Sequence, residues 1–160
     1  MAHAGGAFYT SDCDRAAFLC VDGKGEDYNA TLGVVDGDQL EILREVPGEN
    51  GLGLFYTLVT RYLGFPSFGS EYKVMGLAPY GEPRFVAALR GMLASDPRGG
   101  VRLHALVRFV EPELEAAVPL VERAVGVPRR AKEEPVEPVH ADVAASLQAI
   151  FEDEVFKMAR

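Results

Sequence analysis

Cysteine is scarce in this 160-residue chain, with only Cys13 and Cys20 present. They lie seven apart without CxxC spacing, which argues against a zinc knuckle and a disulfide framework, so both are assigned to structure. Basic residues are in the minority, 16 against 24 acidic, for a formal charge of -8. Counterion release from a phosphate backbone cannot drive strong binding at that charge, so nucleic acid is not an expected partner, although a local basic pocket would still hold a small phosphate. No apolar run approaches the roughly twenty residues that a membrane span needs. The start, MAHAGGAFY, has no charged region leading into an apolar one, so export is not indicated and a cytoplasmic location is expected. A GxxxxGK[ST] phosphate loop is missing as well, and Lys24 stands where an EF-hand needs an acidic or amide side chain.

What is present reads as a mixed α/β chain. At 48% hydrophobic, 160 residues are enough for one core and one domain, or a piece of one. Residues 2–9, small and apolar, suit the end of a helix that starts before Met1. Residues 16–22, AAFLCVD, predict a buried strand running into an Asp-Gly turn. The stretches YNATLGVVDG and QLEILREV flank Asp36-Gly37-Asp38, a hairpin signal, because glycine accepts the positive φ of such turns. Together they predict a three-strand antiparallel meander.

The spacing of Leu54, Leu58 and Tyr62, and of Leu52, Phe55, Val59 and Leu63, predicts a largely buried helix ending at Gly64. Ser70 is placed to cap a helix that Pro79 and Gly81 close, and another helix is expected from Pro83 to about Leu93. VRLHALVRF reads as a strand or an irregular stretch. Residues 126–138, with three prolines and opposed charge clusters, predict an exposed loop. From Val139 onward, Val143, Leu147, Ile150, Phe151, Val155 and Met158 form a broad apolar stripe on a helix of about 30 Å. Its stripe has little evident partner in the preceding loop, and the helix reaches Arg160 uncapped.

Taken in order and spacing, HAGGAFY, VDGKGE, GLGLFYTLVTRYLGF, EYKVMGLAPYG and HADVAASLQAIFEDEV resemble the amino-terminal domain of O-carbamoyltransferases of the nodulation and antibiotic-tailoring type. The resemblance is close from His3 to Pro83, weak from Arg84 to Val139, and visible again from His140. EYKVMGLAPYG is its most specific stretch. It implies a partial domain of the actin, sugar kinase and Hsp70 ATPase superfold, continued beyond both ends of the chain, akin to the enzyme that makes the threonylcarbamoyl modification of tRNA. A second domain of such enzymes releases carbamate from carbamoyl phosphate. The domain resembled here joins carbamate to ATP as carbamoyl-adenylate and passes the carbamoyl group to a hydroxyl of a small-molecule acceptor.

The resemblance also implies roles. Asp22 and Lys73 are catalytic; Gly23, Gly25, Glu26 and Glu71 contact ATP; and His3 is one ligand of a divalent metal, iron or magnesium. In that family His3 is the second histidine of a His-x-x-x-His pair, whose first member would precede Met1. Read alone, VDGKGEDY is as well explained by a solvated turn, and Glu71 with Lys73 by a surface salt bridge. Gly76, Pro79 and Gly81 are expected to shape a turn, His104 and His140 have no evident partners, and Gly51 stands where the family pattern has serine. Two alternatives remain: a non-catalytic, protein-binding module derived from the domain, and phosphoryl transfer on the same superfold. Association with the missing complementary segments, or with a second copy of the chain, is also expected.

Overall fold

The computed structural model describes residues 2–25, 27–48, 50–65, 69–97, 99–108 and 110–160. The chain begins with helix α1, Ala2–Tyr9, followed by strands β1, Arg15–Val21, β2, Tyr28–Asp36, and β3, Gln39–Pro47. These strands form the expected antiparallel meander in the order β1-β2-β3. Asp36 pairs with Gln39 across a two-residue turn in which Gly37 has φ 53°, a value that only glycine adopts readily. On the other side, Ala17 faces Val34 and Val21 faces Ala30. Strand β1 departs from the sequence reading. Among the described residues it pairs only with β2, so Phe18, Leu19, Cys20 and Val21 are half-buried rather than sealed in a sheet interior.

Helix α2, Leu52–Tyr62, is the hub of the core. Every residue but Gly53 is buried, because apolar side chains surround the axis instead of forming one stripe. It ends in the expected glycine stop: Gly64 takes φ 76°, its amide donates to the Arg61 carbonyl, and that of Phe65 to the Thr60 carbonyl. This is the Schellman arrangement. Helix α3, Glu71–Leu77, runs into a 3₁₀ turn, Ala78–Tyr80. The helix expected from Pro83 to Leu93 is shorter: α4 covers Val86–Arg90, and Leu93–Ser95 is instead β4, paired antiparallel with β5, Val101–Leu103.

Helix α5, Glu111–Val125, was not foreseen. Leu114, Ala117, Val118, Val121 and Val125 line its buried side, and Gly126 closes it at φ 71°. Buried Arg61 of α2 pairs with Glu111 and, at 3.5 Å, with Glu115, which fastens α5 to the hub. Helix α6, Pro138–Met158, carries the expected stripe, but that stripe is covered: α6 packs against α2, α3, α4 and the 3₁₀ turn, with Val143, Leu147 and Ile150 fully buried. Neighbours distant in sequence, not the preceding loop, supply the partner. No helix among the described residues is long and apolar enough to cross a membrane.

Residues 127–137 contain no helix or strand and are mostly exposed, yet Arg130 within them is only 5% exposed. Its guanidinium donates to the carbonyls of Leu63 at 2.7 Å, Gly64 at 3.4 Å, Lys132 at 3.3 Å and Glu134, and lies 5.0 Å from the Phe65 ring centre. A cation thus closes the carboxyl end of α2, where the helix dipole is negative.

His140 also gains a partner. It is the third residue of α6 in a capping box with Glu137: the Glu137 amide donates to His140 Nδ1 at 2.9 Å. Burial holds its pKa below the ordinary histidine value; nearby Glu137 and Glu134 oppose this, and Arg130 adds to it. Above about pH 6.5 the imidazole is neutral folded or unfolded, so it adds no pH dependence. As pH falls below that, the unfolded chain takes up the proton first and folding stability drops. Urea titrations from pH 7.5 to 5 should show this loss, and His140→Gln, which keeps a capping-box residue, should reduce it.

Candidate functional site

The turn between β1 and β2 organises two depressions. The backbone pairing continues one step past β1, the Asp22 amide donating to the Asn29 carbonyl at 2.9 Å, so the described residues between Asp22 and β2, Gly23–Gly25 and Asp27, belong to a short loop closed at its base. Two glycines permit the loop's shape. A Cβ on Gly25 would stand 1.8 Å from the Tyr28 carbonyl oxygen, and one on Gly53, in the first turn of α2, would stand 2.4 Å from that of Asp22. The loop is therefore seated directly on α2. Gly51 is explained similarly: a Cβ there would come within 2.3 Å of buried Asn29, whose amide holds the carbonyls of Pro47 and Gly48.

On one side of the loop is a depression of about 560 Å³ bordered by His3, Asp22, Lys24, Gly25, Tyr28 and Glu45. Here α1 brings His3 Nδ1 to 3.1 Å from Asp22 Oδ1. Two residues far apart in sequence reading, one taken as a metal ligand and the other as catalytic, meet in one pair. Among the described residues no three His, Cys, Asp or Glu side chains are grouped to hold a metal ion. Imidazole and carboxylate are suitable transition-metal donors, but a pair is short of the three protein ligands typical of catalytic sites, so these residues alone do not fit the expected metal.

On the other side is a cleft of about 470 Å³, its walls formed by the loop at Gly23 and Lys24, by α2 at Gly53, Tyr56 and Thr57, by α3 at Glu71 and Met75, and by α6 at Gln148 and Phe151. Its polar side chains are held in place. Thr57 donates to Glu71 Oε1 at 2.7 Å. The Tyr56 hydroxyl donates to Gln148 Oε1 at 3.0 Å, and Gln148 Nε2 to Glu152 at 2.8 Å. Burial, assisted by Glu71 and Glu152, pushes the Tyr56 pKa well above the ordinary tyrosine value, so the phenol remains a donor. Phe151 meets the Tyr56 ring edge-on at 5.4 Å.

The structure thus groups His3, Asp22 and Gly25 on one side of the loop and Gly23 with Glu71 on the other. Lys73 is elsewhere: it is exposed on α3, with Nζ 5.7 Å from the Phe65 ring centre and 5.9 Å from that of Tyr72. Glu26 lies outside the described residues. Sequence reasoning did not assign Lys24, which borders both depressions, or Tyr56, Thr57 and Gln148. Lys24 was in plain view inside the loop motif; the other three sit in helical patterns that read as core. Gly81, expected to shape a turn, also allows a close approach, since a Cβ there would stand 2.1 Å from the Ala141 carbonyl.

A glycine-bearing hairpin loop seated on a buried helix, with a depression on either side, is the centre of this mixed α/β chain. The chain belongs to the carbamoyltransferase N-terminus family, whose sequence model matches residues 1–160. An uncharacterised protein of Synechocystis is 38% identical over 157 residues, covering 98% of this chain and 26% of that protein. Nodulation protein NolO of Bradyrhizobium diazoefficiens is 36% identical over 159 residues, 99% of this chain and 27% of the relative. Nodulation protein NolNO of Sinorhizobium fredii is 34% identical over 164 residues, 100% and 22% respectively. The chain spans about a quarter of the length of these curated relatives.

Proposed function

We propose that the chain is the amino-terminal part of an O-carbamoyltransferase that forms carbamoyl-adenylate from ATP and carbamate, then transfers the carbamoyl group to an alcohol. Membership of the family supports the transfer; the meeting of His3 and Asp22 beside the glycine-bearing loop is the observation that supports its placement. A carbamoyl carbon is a weak electrophile because its nitrogen donates into the carbonyl. ATP, when bound, supplies the leaving group that corrects this. In the transfer step the alcohol oxygen bonds to the carbamoyl carbon, the carbon–oxygen bond to the adenylate phosphate breaks, and AMP departs with that electron pair.

The chain's own part is to receive the proton and to position the partners. Asp22 accepts the hydrogen bond of the attacking hydroxyl and takes its proton, while His3, in the first turn of α1, orients the carboxylate. The loop offers its backbone at Gly23 and Gly25 to phosphate. No step of this scheme is assigned to the expected divalent metal, toward which His3 and Asp22 would supply one imidazole and one carboxylate.

In a protein carrying this chain together with the further sequence its relatives have, Asp22→Ala should slow carbamoyl transfer about a hundredfold, the lower end for a lost general base. ATP affinity and melting temperature should hold. Transfer at the original rate would remove Asp22 from the mechanism, and the proposal with it.

A further inference from the structure

We infer that Lys24 is a catalytic residue of the transfer: its ammonium group binds the phosphate that leaves as the carbamoyl group moves. The inference rests on the transfer reading above and adds the residue that carries the charge of the leaving group.

Position gives the first argument. Lys24 stands between the two glycines of the loop and borders both the His3–Asp22 depression and the cleft beside α2. Its main chain is held from both sides. The Cβ position of Gly53 lies 2.7 Å from Gly23 Cα, and that of Gly25 lies 1.8 Å from the Tyr28 carbonyl oxygen, so both neighbours of Lys24 are packed closely against other backbone. The side chain is exposed above this fixed base, and its flexible four-carbon stem lets the ammonium swing toward either depression.

Charge gives the second. Among the described residues Lys24 is the one lysine or arginine that borders either depression, against the carboxylates of Asp22, Asp27 and Glu45 on one side and Glu71 on the other. A phosphate at Gly23 and Gly25 has acidic groups on both sides of it, and the partial charges of backbone amides offset that repulsion only in part. A cation within the loop itself supplies the rest.

The chemistry gives the third. As the alcohol oxygen bonds to the carbamoyl carbon, the carbon–oxygen bond to phosphate breaks and its electron pair stays on the phosphate oxygen, while the alcohol proton goes to Asp22. One negative charge therefore passes from the Asp22 carboxylate to the phosphate. Lys24 stays protonated throughout: it attracts the carboxylate before the step and the phosphate as its charge grows, and a cation placed where charge develops speeds the step. A compact charge on a flexible stem suits this movement better than the planar fork of an arginine.

The test uses a protein carrying this chain together with the further sequence its relatives have, as wild type, Lys24→Met and Lys24→Arg. Calorimetric titration with AMP and with inorganic phosphate is paired with transfer kinetics, and a melting curve on each protein shows that the variants are folded. Lys24→Met should weaken AMP about tenfold, the lower end for a hydrogen bond between charged groups, and lower kcat about tenfold as well. Lys24→Arg should recover most of the AMP affinity, and added salt should weaken AMP binding to wild type more than to Lys24→Met. Unchanged AMP affinity and kcat in Lys24→Met, or an equal loss in both variants, would overturn the assignment and leave the transfer reading standing. So would weaker binding of inorganic phosphate with AMP unaffected, since the anion held would then be free phosphate and not the leaving group. Failure of wild type to bind AMP would count against the transfer reading itself, and the role of Lys24 would fall with it.

Discussion

Arg130→Ala is expected to lower folding stability by about 3–5 kcal/mol, among the largest effects of any single substitution here. The guanidinium is buried and serves carbonyls from two segments, Leu63 and Gly64 at the end of α2 and Lys132 and Glu134 in its own loop. Alanine removes the donors and leaves the Leu63 carbonyl beneath the loop without a replacement, and an unsatisfied buried carbonyl costs about 1–3 kcal/mol by itself. The loss of a cation at the helix end adds up to about 2 kcal/mol. Gly64 leaves little room for compensation, since its own Cβ position lies 2.6 Å from the Arg130 carbonyl oxygen. Thermal melting should shift down by roughly 10 °C. Arg130→Lys should recover only part, because one ammonium cannot reproduce the planar fork that spans both segments. A shift below about 2 °C for alanine, corresponding to less than about 1 kcal/mol, would show that water replaces the guanidinium.

Gly81→Ala is expected to cost a similar amount, about 3–5 kcal/mol, by a different route. Gly81 has ordinary extended backbone, so the cause is space and not conformation. The added methyl would sit 2.1 Å from the Ala141 carbonyl and 2.5 Å from the Asp142 nitrogen, atoms of the α6 backbone that cannot rotate away. Pushing the segment outward breaks its ties to α6: the Glu82 amide donates to Asp142 Oδ1 at 2.8 Å and the Phe85 amide to Ser146 Oγ at 2.9 Å. Hydrogen exchange should therefore accelerate first at Glu82 and Phe85. Unchanged exchange at those amides, with full stability, would mean that α6 moves away at little cost.

Much of the fold was legible in the sequence, for identifiable reasons. Gly37 marked the hairpin, Gly64 marked the end of α2, and the stripe from Val143 to Met158 marked α6, each through a local rule. Helix α5 was missed although Leu114, Val118, Val121 and Val125 carry helical spacing. Pro119 interrupts that pattern, and the helix holds because its missing amide is outweighed by a buried face. Helix α4 was drawn too long because nothing local announces that Leu93 pairs with Leu103. At the site, the glycine-bearing loop was readable as a motif, whereas the pairing of Tyr56 with Gln148 joins residues 92 apart and has no local signature. Arg130 was hidden for the same reason, since composition alone makes its loop look solvated.

The burial of α2 at every position but Gly53 also bears on how such a domain can diverge. Tyr56 and Thr57 face the cleft from a helix whose neighbouring positions, Phe55, Leu58 and Val59, are fully buried. Substitution at this wall cannot alter the cleft without also disturbing the core. Met75, exposed on α3, carries no such burden. Substitutions can therefore accumulate at the rim of the cleft while its floor stays fixed, so related chains that share α2 need not share the shape of that rim.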